Sequence, residues 1–387
     1  MPDRFRSLLS PATSVALGRQ SIWLLLACIA WCVGLLTVGL WPFNFLAHNR
    51  VSWLEGGPGL RFEGPGQVYA EVPWRMSQQP TSAGSFTLEL WLQPQQVCDC
   101  LGTILSWYDP AQRRTFAIEQ SVSDLVVRGY FLDGQRHPAY RSLWLDNRLQ
   151  ANQPIFLTVT TGPEGTVLYL GGARARRYPY APLINNLDGR LLLGHSAEGR
   201  SEWAGDILGL AVYDHPLTPE DVLRHYQSWS EGRLAELKTP DIVGLYPFSE
   251  RRGQVIHNRA GSMPDLAVPA RFSLLRKIPL VRSFKLHRSD LKDAAINITG
   301  FIPFGFLISA YLHWGCSFSR LRGATYAVTC GALISLLIEV LQVYLPSRDS
   351  SLLDLMNNTI GTALGVAALG WIMQRFPTHA GALKKAG

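Results

Sequence analysis

Hydrophobic and polar positions follow distinct rhythms in different parts of this chain. From Ser21 to Phe43 the run SIWLLLACIAWCVGLLTVGLWPF is almost continuously apolar. At about 20 residues it is long enough to cross a hydrocarbon layer of roughly 30 Å. It exceeds the apolar region of a usual signal peptide and no A-x-A site follows it. We read it as a retained span with Trp41 and Phe43 at the water interface. Three more apolar runs cluster near the C-terminus, at about Ala294 to Leu312, Ala324 to Tyr344 and Ser351 to Met373.

The long stretch between the first and second runs alternates instead of running apolar. GSFTLELWLQP, TILSWYD, TFAIEQS, LVVRGYF, PIFLTVTTGPEGTVLYLGG, GRLLLGHS and AGDILGLAVYD are short strand-like segments punctuated by Gly, Pro, Asn and Asp. Strands at this spacing, with a GPEG hairpin turn at Gly162 to Gly165, predict an all-β sandwich. One helix interrupts them, in LTPEDVLRHYQSW. There Thr218 is placed to cap, Pro219 fits the first helical position, and Glu220 and Asp221 suit the positive end.

Composition agrees with a chain partly in water and partly in lipid. Its 387 residues are enough for two or three domains, and charged residues make up 17% where a soluble domain has roughly 25%. The net charge of +7 raises the question of nucleic acid, but no basic helix, zinc finger or RNA-binding signature is present. Thirty of the 36 basic residues are arginines, and their positions around the spans read as topology information. The six cysteines are not a disulfide framework. Cys28, Cys32 and Cys330 fall in apolar runs and Cys316 in a short loop. Cys98 and Cys100 stand too close for an unstrained bridge.

The segments FTLELWLQP, TVLYLGG and LLLGHS…WAGDILGLAVYDHPLTPEDVLRHY resemble the laminin-G/concanavalin-A-like jelly roll over Pro58 to Trp229. A further piece, Asp241 to Phe272, is similar to the strand pair that usually opens such a domain, here placed after it. The two ends of a jelly roll lie close together, so this piece is expected to add an edge strand. The resemblance implies carbohydrate or protein binding. The paired carboxylates of glucanases are missing, since Glu89 in LELW stands alone. Trp107, Tyr108 and Trp203 are candidate sugar-stacking aromatics, with a core or rim position as the plainer alternative. Calcium in the sandwich, through Asp206 or Asp109, is a further expectation. No other cofactor is expected.

WPFNF after the first span, DAAINITGFIPFGFL at the second and IEVLQVYLPSRDSSLLDLMNNTIGTALG across the third and fourth resemble the VanZ family of bacterial membrane proteins. The stretches concerned are Ser21 to Asn44 and Lys292 to Met373. The family's motif positions fall on Asn297, Pro303, Gly305, Glu339, Gln342, Arg348, Ser351, Asp354, Asn358 and Gly361. The family is associated with low-level resistance to the glycopeptide teicoplanin and has no settled biochemical activity. This chain departs from it in carrying a β-sandwich where a short loop is usual.

The fold class expected is therefore a multidomain membrane protein: a four-helix transmembrane VanZ-like bundle plus an all-β jelly-roll sandwich. Its parts are a cytoplasmic segment 1–20, a span 21–43, a sandwich 50–272 (core 58–229, added strands 241–272), a basic linker 273–292, three spans within 293–374 and a cytoplasmic tail 375–387. Arg4, Arg6 and Arg19 precede the first span and favour a cytoplasmic N-terminus, which puts the sandwich outside the cytoplasmic membrane. Arg320 and Arg322 would then lie inside, as would Arg375, Lys384 and Lys385. The linker LRKIPLVRSFKLHRSDLK carries six cations on the outer side. It is either a solvated linker or a segment on the outer leaflet with Leu275, Ile278, Val281 and Phe284 dipping in.

Small and polar residues recur at helical steps in the last three spans. They are Asp293, Asn297 and Gly300; Gly331, Ser335 and Glu339, then Gln342; and Asp354, Asn358, Gly361 and Gly365. Each set lies on one helical face, richest toward the same end, and Asn44 could join at that level. An ionised group in lipid costs several kcal/mol unless paired, so the stripes should turn inward, with Arg348 meeting Glu339 or Asp354. Two readings stay open: an interhelical network that holds the spans together, or a binding site at Asp293, Asn297, Glu339, Gln342, Arg348, Ser351, Asp354 and Asn358. Asp349 adds to the surplus of carboxylates that favours the second.

Three functions follow. The spans bind a lipid-linked or phospho-glycan envelope component, with the sandwich recognising glycan or protein. If that part is an enzyme, Glu339 or Asp354 is its acid or base and Arg348 with the linker holds phosphate. Alternatively the spans only anchor a recognition module. Transport is the weakest reading, because the polar stripes stop near Gly331 and Gly361.

Overall fold

The computed structural model describes residues 11–75, 85–97, 101–109, 113–132, 138–182, 187–197, 201–237, 239–281, 288–348 and 350–376, with backbone alone at 11–20, 113–115, 132, 138, 182, 235 and 288–290. Arg4, Arg6, Cys98, Cys100, Phe284, Asp349, Lys384 and Lys385 lie outside the described residues. The chain forms two compact units, one of Leu46–Arg276 and one of Met1–Phe45 with Lys277–Gly387.

The first unit is a sandwich of two large antiparallel sheets with a two-stranded ribbon, Ala47–His48 with Arg271–Phe272. Sheet I has the order Ala173–Tyr178, Gly165–Leu170, Ile155–Gly162, Phe86–Pro94, Ala204–Tyr213, Leu60–Glu63, Val51–Trp53. Sheet II has the order Ala181–Pro182, Asp124–Leu132, Arg113–Ser121, Leu101–Asp109, Arg190–Leu193, Val68–Ala70, Leu266–Ala267, Val255–Ile256, with Pro138–Leu145 also on Asp124–Leu132. Residues 241–272 enter both sheets: Ile242–Tyr246 pairs with Ala204–Tyr213, and Leu266–Ala267 with Val68–Ala70. The period-2 alternation supplies the core between the sheets. Leu88 and Leu90, Leu157 and Val159, Phe116 and Ile118, and Leu191 and Leu193 are all buried there.

The residues one step out of phase with them face the other way. On sheet I, Phe156, Tyr169, Ala211 and Tyr213 are covered by helix α2, numbered second in the chain, at Pro219–Ser230. Its start is as the sequence implies: Thr218 Oγ accepts from Asp221 N at 3.2 Å, with Pro219 opening the helix. Val222, His225 and Trp229 form its buried stripe. Gly209 leaves room for the Trp229 ring, which a side chain there would meet.

The second unit contains α1 (Pro11–Leu40), α3 (Arg288–Ala310, continued by a π turn at Tyr311–Gly315), α4 (Arg320–Gln342) and α5 (Leu352–Arg375). Ser21–Leu40, Leu291–Gly315, Arg320–Gln342 and Leu352–Arg375 are helices long and apolar enough to cross a membrane. Their burial is inverted relative to a water-soluble bundle. Along α4, Gly323, Ala327, Gly331, Ser335 and Glu339 are buried, while Leu321, Leu333, Leu337 and Val340 are exposed. Small residues set how closely the helices approach. A Cβ on Gly361 or Gly365 would overlap the carbonyl oxygens of Ile298 and Ile302, so α5 lies directly against the backbone of α3 and parallel to it. Against α4 the direction reverses: Gly331 meets Thr362, and Ser335 meets Asn358. Trp31 Nε1 ties α1 to α3 through the Gly300 carbonyl at 3.0 Å.

Candidate functional site

The polar ends of the stripes come together where α1 and α4 end and α3 and α5 begin. Ser351 caps α5, its Oγ accepting from Leu353 N at 3.2 Å and Asp354 N at 3.4 Å. The N–H of Ser351 itself donates to Glu339 Oε2 at 2.7 Å, and the Ser350 side chain also bonds this carboxylate. A buried side-chain oxygen at a helix N-terminus satisfies N–H groups that have no partner within the helix. The last α4 turn thereby fixes the first α5 turn.

Two more motif residues serve the other terminus. The final carbonyls of α1 lack intrahelical partners. Gln342 Nε2 donates to Gly39 O at 2.8 Å, and Arg348 Nε to Trp41 O at 3.1 Å. The expected pairing of Arg348 with Glu339 or Asp354 is thus replaced, at Nε, by a bond to a helix-end carbonyl, and Arg348 is exposed. Asp293 is exposed as well and does not turn inward as its spacing led us to expect, and Asn44, which could have joined at that level, is also exposed.

What remains is a smaller group deeper in. Asn297 Nδ2 of α3 donates to Asp354 Oδ1 at 2.8 Å. Asn358 Nδ2 donates to Ser335 Oγ at 2.9 Å, while Thr362 Oγ1 donates to Asn358 O. Among the described residues, Asn358 Oδ1 and Asn357 Nδ2 are buried without a hydrogen-bond partner, the residues being 4% and 8% exposed. Asn357 lies one turn before Gly361 on the stripe facing α3, and the spacing of polar residues did not single it out. The only sequence signal for it was its place beside Asn358.

The basic linker is part of this neighbourhood, a contact the sequence did not suggest. Val281 N donates to Ser350 O at 2.9 Å, Leu352 N to Val281 O at 3.3 Å, and Leu280 N to Ser350 Oγ at 3.0 Å. Lys277 Nζ sits 3.9 Å from the centre of the Tyr344 ring. Leu280 and Val281 therefore bond to the α4–α5 connection.

In the sandwich the three proposed sugar-stacking aromatics are core residues. Trp107, Tyr108 and Trp203 are 0%, 8% and 2% exposed, and Trp107 packs on Phe116. Asp206 gives both carboxylate oxygens to Arg61 at 2.9 Å each. A different group, Asp214, His215 and Asp241, brings three ligand atoms within 4.8 Å of one another near the surface. Glu89 meets no second carboxylate among these contacts but a buried polar set: His225 Nδ1 lies 2.9 Å from Oε1, and Trp229 Nε1 and Tyr213 OH reach Oε2 at 3.1 and 3.4 Å. Burial first, then the adjacent carboxylate, pushes the Tyr213 hydroxyl well above its usual range.

Comparison with known proteins bears on each unit. The VanZ/LLP1 family model matches residues 241–373. The model of the concanavalin A-like lectin/glucanases superfamily matches residues 66–223. The chain therefore carries a lectin-type domain ahead of a VanZ-like one, and the VanZ match begins within strands that belong to the sandwich. No curated protein matches the chain. A candidate carbohydrate binding protein of Bacteroides ovatus is 14% identical, with 54% of this chain and 56% of that chain covered at a TM-score of 0.39. The heptameric SAP-like pentraxin of Limulus polyphemus is 13% identical (46% and 79% covered, TM-score 0.32). The botulinum neurotoxin serotype D ligand binding domain, in complex with N-acetylneuraminic acid, is 14% identical (47% and 45% covered, TM-score 0.33). The chain spans about half the length of the first and third of these.

Proposed function

We propose that this is a multi-pass protein of a bacterial cytoplasmic membrane. Its four apolar helices form a bundle that holds the polar head of a lipid-linked or phospho-glycan envelope component, and its sandwich, on the extracytoplasmic side, recognises glycan or protein. The observation that carries this reading is the polar group of Glu339, Asp354, Asn297, Asn357 and Asn358 within helices whose outward faces are apolar, with the Asn357 amide donor and the Asn358 amide acceptor buried without partners among the described residues. An unpartnered buried polar group costs about 1–3 kcal/mol, and a polar ligand would relieve it. Arg4, Arg6, Arg19, Arg320 and Arg322 support the orientation by their positions. The same orientation places the polar group at the outer end of the helices.

A second reading, anchorage alone, is favoured by the caps that Glu339, Gln342 and Ser351 provide, since these are interhelical joints whatever else the helices do. Exchange of the helices for an unrelated span separates the two. Under the binding reading the exchange abolishes envelope function, and Asn357→Leu does so too with normal membrane abundance. Function retained after the exchange establishes the anchor and removes the binding reading.

A further inference from the structure

The polar group between α3, α4 and α5 restricts the kind of head it can hold. Its members are the carboxyl groups of Glu339 and Asp354 and the amides of Asn297, Asn357 and Asn358. Bonds through Ser351 and Ser335 link them across the three helices. Among the described residues, the buried side chains of the four helices include no Lys, Arg or His. Carboxyl oxygens therefore set the character of the group. A phosphate placed there would set acceptors against acceptors with no cation between them. A primary amine instead brings several N–H donors, and a hydrogen bond between ionised partners is roughly twice as strong as a neutral one.

The two buried amide atoms without partners among the described residues specify the head further. Asn358 Oδ1 needs a donor, which an amine supplies. Asn357 Nδ2, on the neighbouring residue of α5, needs an acceptor, which an ester or hydroxyl oxygen a few bonds from the amine supplies. Cations stand outside the group instead. Arg348 and Lys277 are both exposed. Arg348 ends the α4–α5 connection's first turn, its Nε on Trp41 O, and Lys277 Nζ sits 3.9 Å from the centre of the Tyr344 ring on the same connection. A phosphate on the head thus finds cations at the exposed rim, and an amine finds carboxyl and amide oxygens within.

We infer that the head held by the helices carries a primary amine a few bonds from a phosphate, the amine meeting Glu339, Asp354 and Asn358 and the phosphate lying toward Arg348 and Lys277. This rests on the reading of the helices as a binding site and gives that site a ligand class. An aminophospholipid and a polyprenyl phosphate bearing an amino sugar both supply the chemistry. The test is a titration of the full chain in a mild detergent, read by native mass spectrometry. The probes are dioleoyl phosphatidylethanolamine and a polyprenyl phosphate glucosamine, each alongside its N-acetylated form, which keeps the phosphate and loses the ammonium. At least one free amine should bind about tenfold or more tighter than its acetylated form, equivalent to about 1.4 kcal/mol, and the one that does so identifies the source. Asp354→Asn keeps an acceptor for Asn297 and should erase most of that difference with the unfolding temperature unchanged. The wild-type ratio decides the class even where that variant fails to accumulate. Equal or tighter binding of the acetylated forms, lost in Asn357→Leu, overturns the amine class while the binding site stands. A wild-type chain that takes up neither amine overturns the amine class as well, and one that also arrives bare from the membrane overturns the binding reading with it.

Discussion

Replacing Glu89 by alanine removes the carboxylate on which α2 is seated. His225 and Trp229, one helical turn apart on α2, converge on it with Tyr213 of sheet I at 2.9, 3.1 and 3.4 Å. The alanine leaves three buried polar groups without a partner, each costing about 1–3 kcal/mol, or about 3–9 kcal/mol together. A whole domain is stable by about 5–15 kcal/mol, so the change should unfold the sandwich or bring it close to unfolding. Glu89→Gln keeps the shape and an acceptor for Trp229 or Tyr213, and should cost about 1–3 kcal/mol. Denaturant titration of the full chain in micelles, followed by tryptophan fluorescence, reads both. A loss below about 1 kcal/mol for Glu89→Ala would refute the reasoning. It would mean that α2 is held by apolar contact with Phe156 and Tyr169 alone.

Other expectations follow from the packing. Gly365→Leu drives a side chain into the Ile302 carbonyl and should sharply reduce protein in the membrane fraction, whereas Gly370→Leu, with nothing within 4 Å, should not; equal abundance by immunoblot refutes the α3–α5 contact. Asn357→Leu removes an unpartnered buried amide, so the unfolding temperature in micelles should hold or rise while envelope function is lost, and a marked drop in that temperature would show that the amide is satisfied. Burial holds the His195 imidazole below its usual pKa, so the unfolded chain takes up the proton first as pH falls. Sandwich stability should therefore decline as pH drops below about 6.5, and His195→Gln should flatten that slope. An unchanged slope in the variant would clear His195 of the effect.

The four long apolar helices were legible because an uninterrupted apolar run of about 20 residues matches the thickness of a bilayer and exceeds what a soluble core usually buries in one piece. The sandwich was legible because strands of period 2 separated by turn residues recur. The stripe Gly331, Ser335, Glu339 was also legible, since steps of four fix a helical face before any contact is known. Contacts between segments distant in sequence were not. The seat of α2 on Glu89 was hidden because His225, its partner, is 136 residues away. Arg348 was matched to a carboxylate by charge, yet its Nε reaches Trp41 O, a choice set by where α1 ends. Alternation also states that neighbours face opposite ways without saying which way is in. Trp107 and Tyr108 straddle a register shift against the strand Arg113–Ser121, and among the described residues of the sandwich the exposed aromatics are Tyr130 and Tyr140.

Whether the helix-end cluster holds a polar ligand is tested most directly by native mass spectrometry of the full chain, extracted from bacterial membranes in a mild detergent. The wild-type chain should carry a bound species with a polar or glycosylated head, one per chain. Asp354→Leu and Asn357→Leu should arrive without it at equal abundance. A wild-type chain that is bare, or variants that retain the same species in full, would contradict a binding site among Asp354, Asn297 and Asn357 and leave those residues as joints between helices.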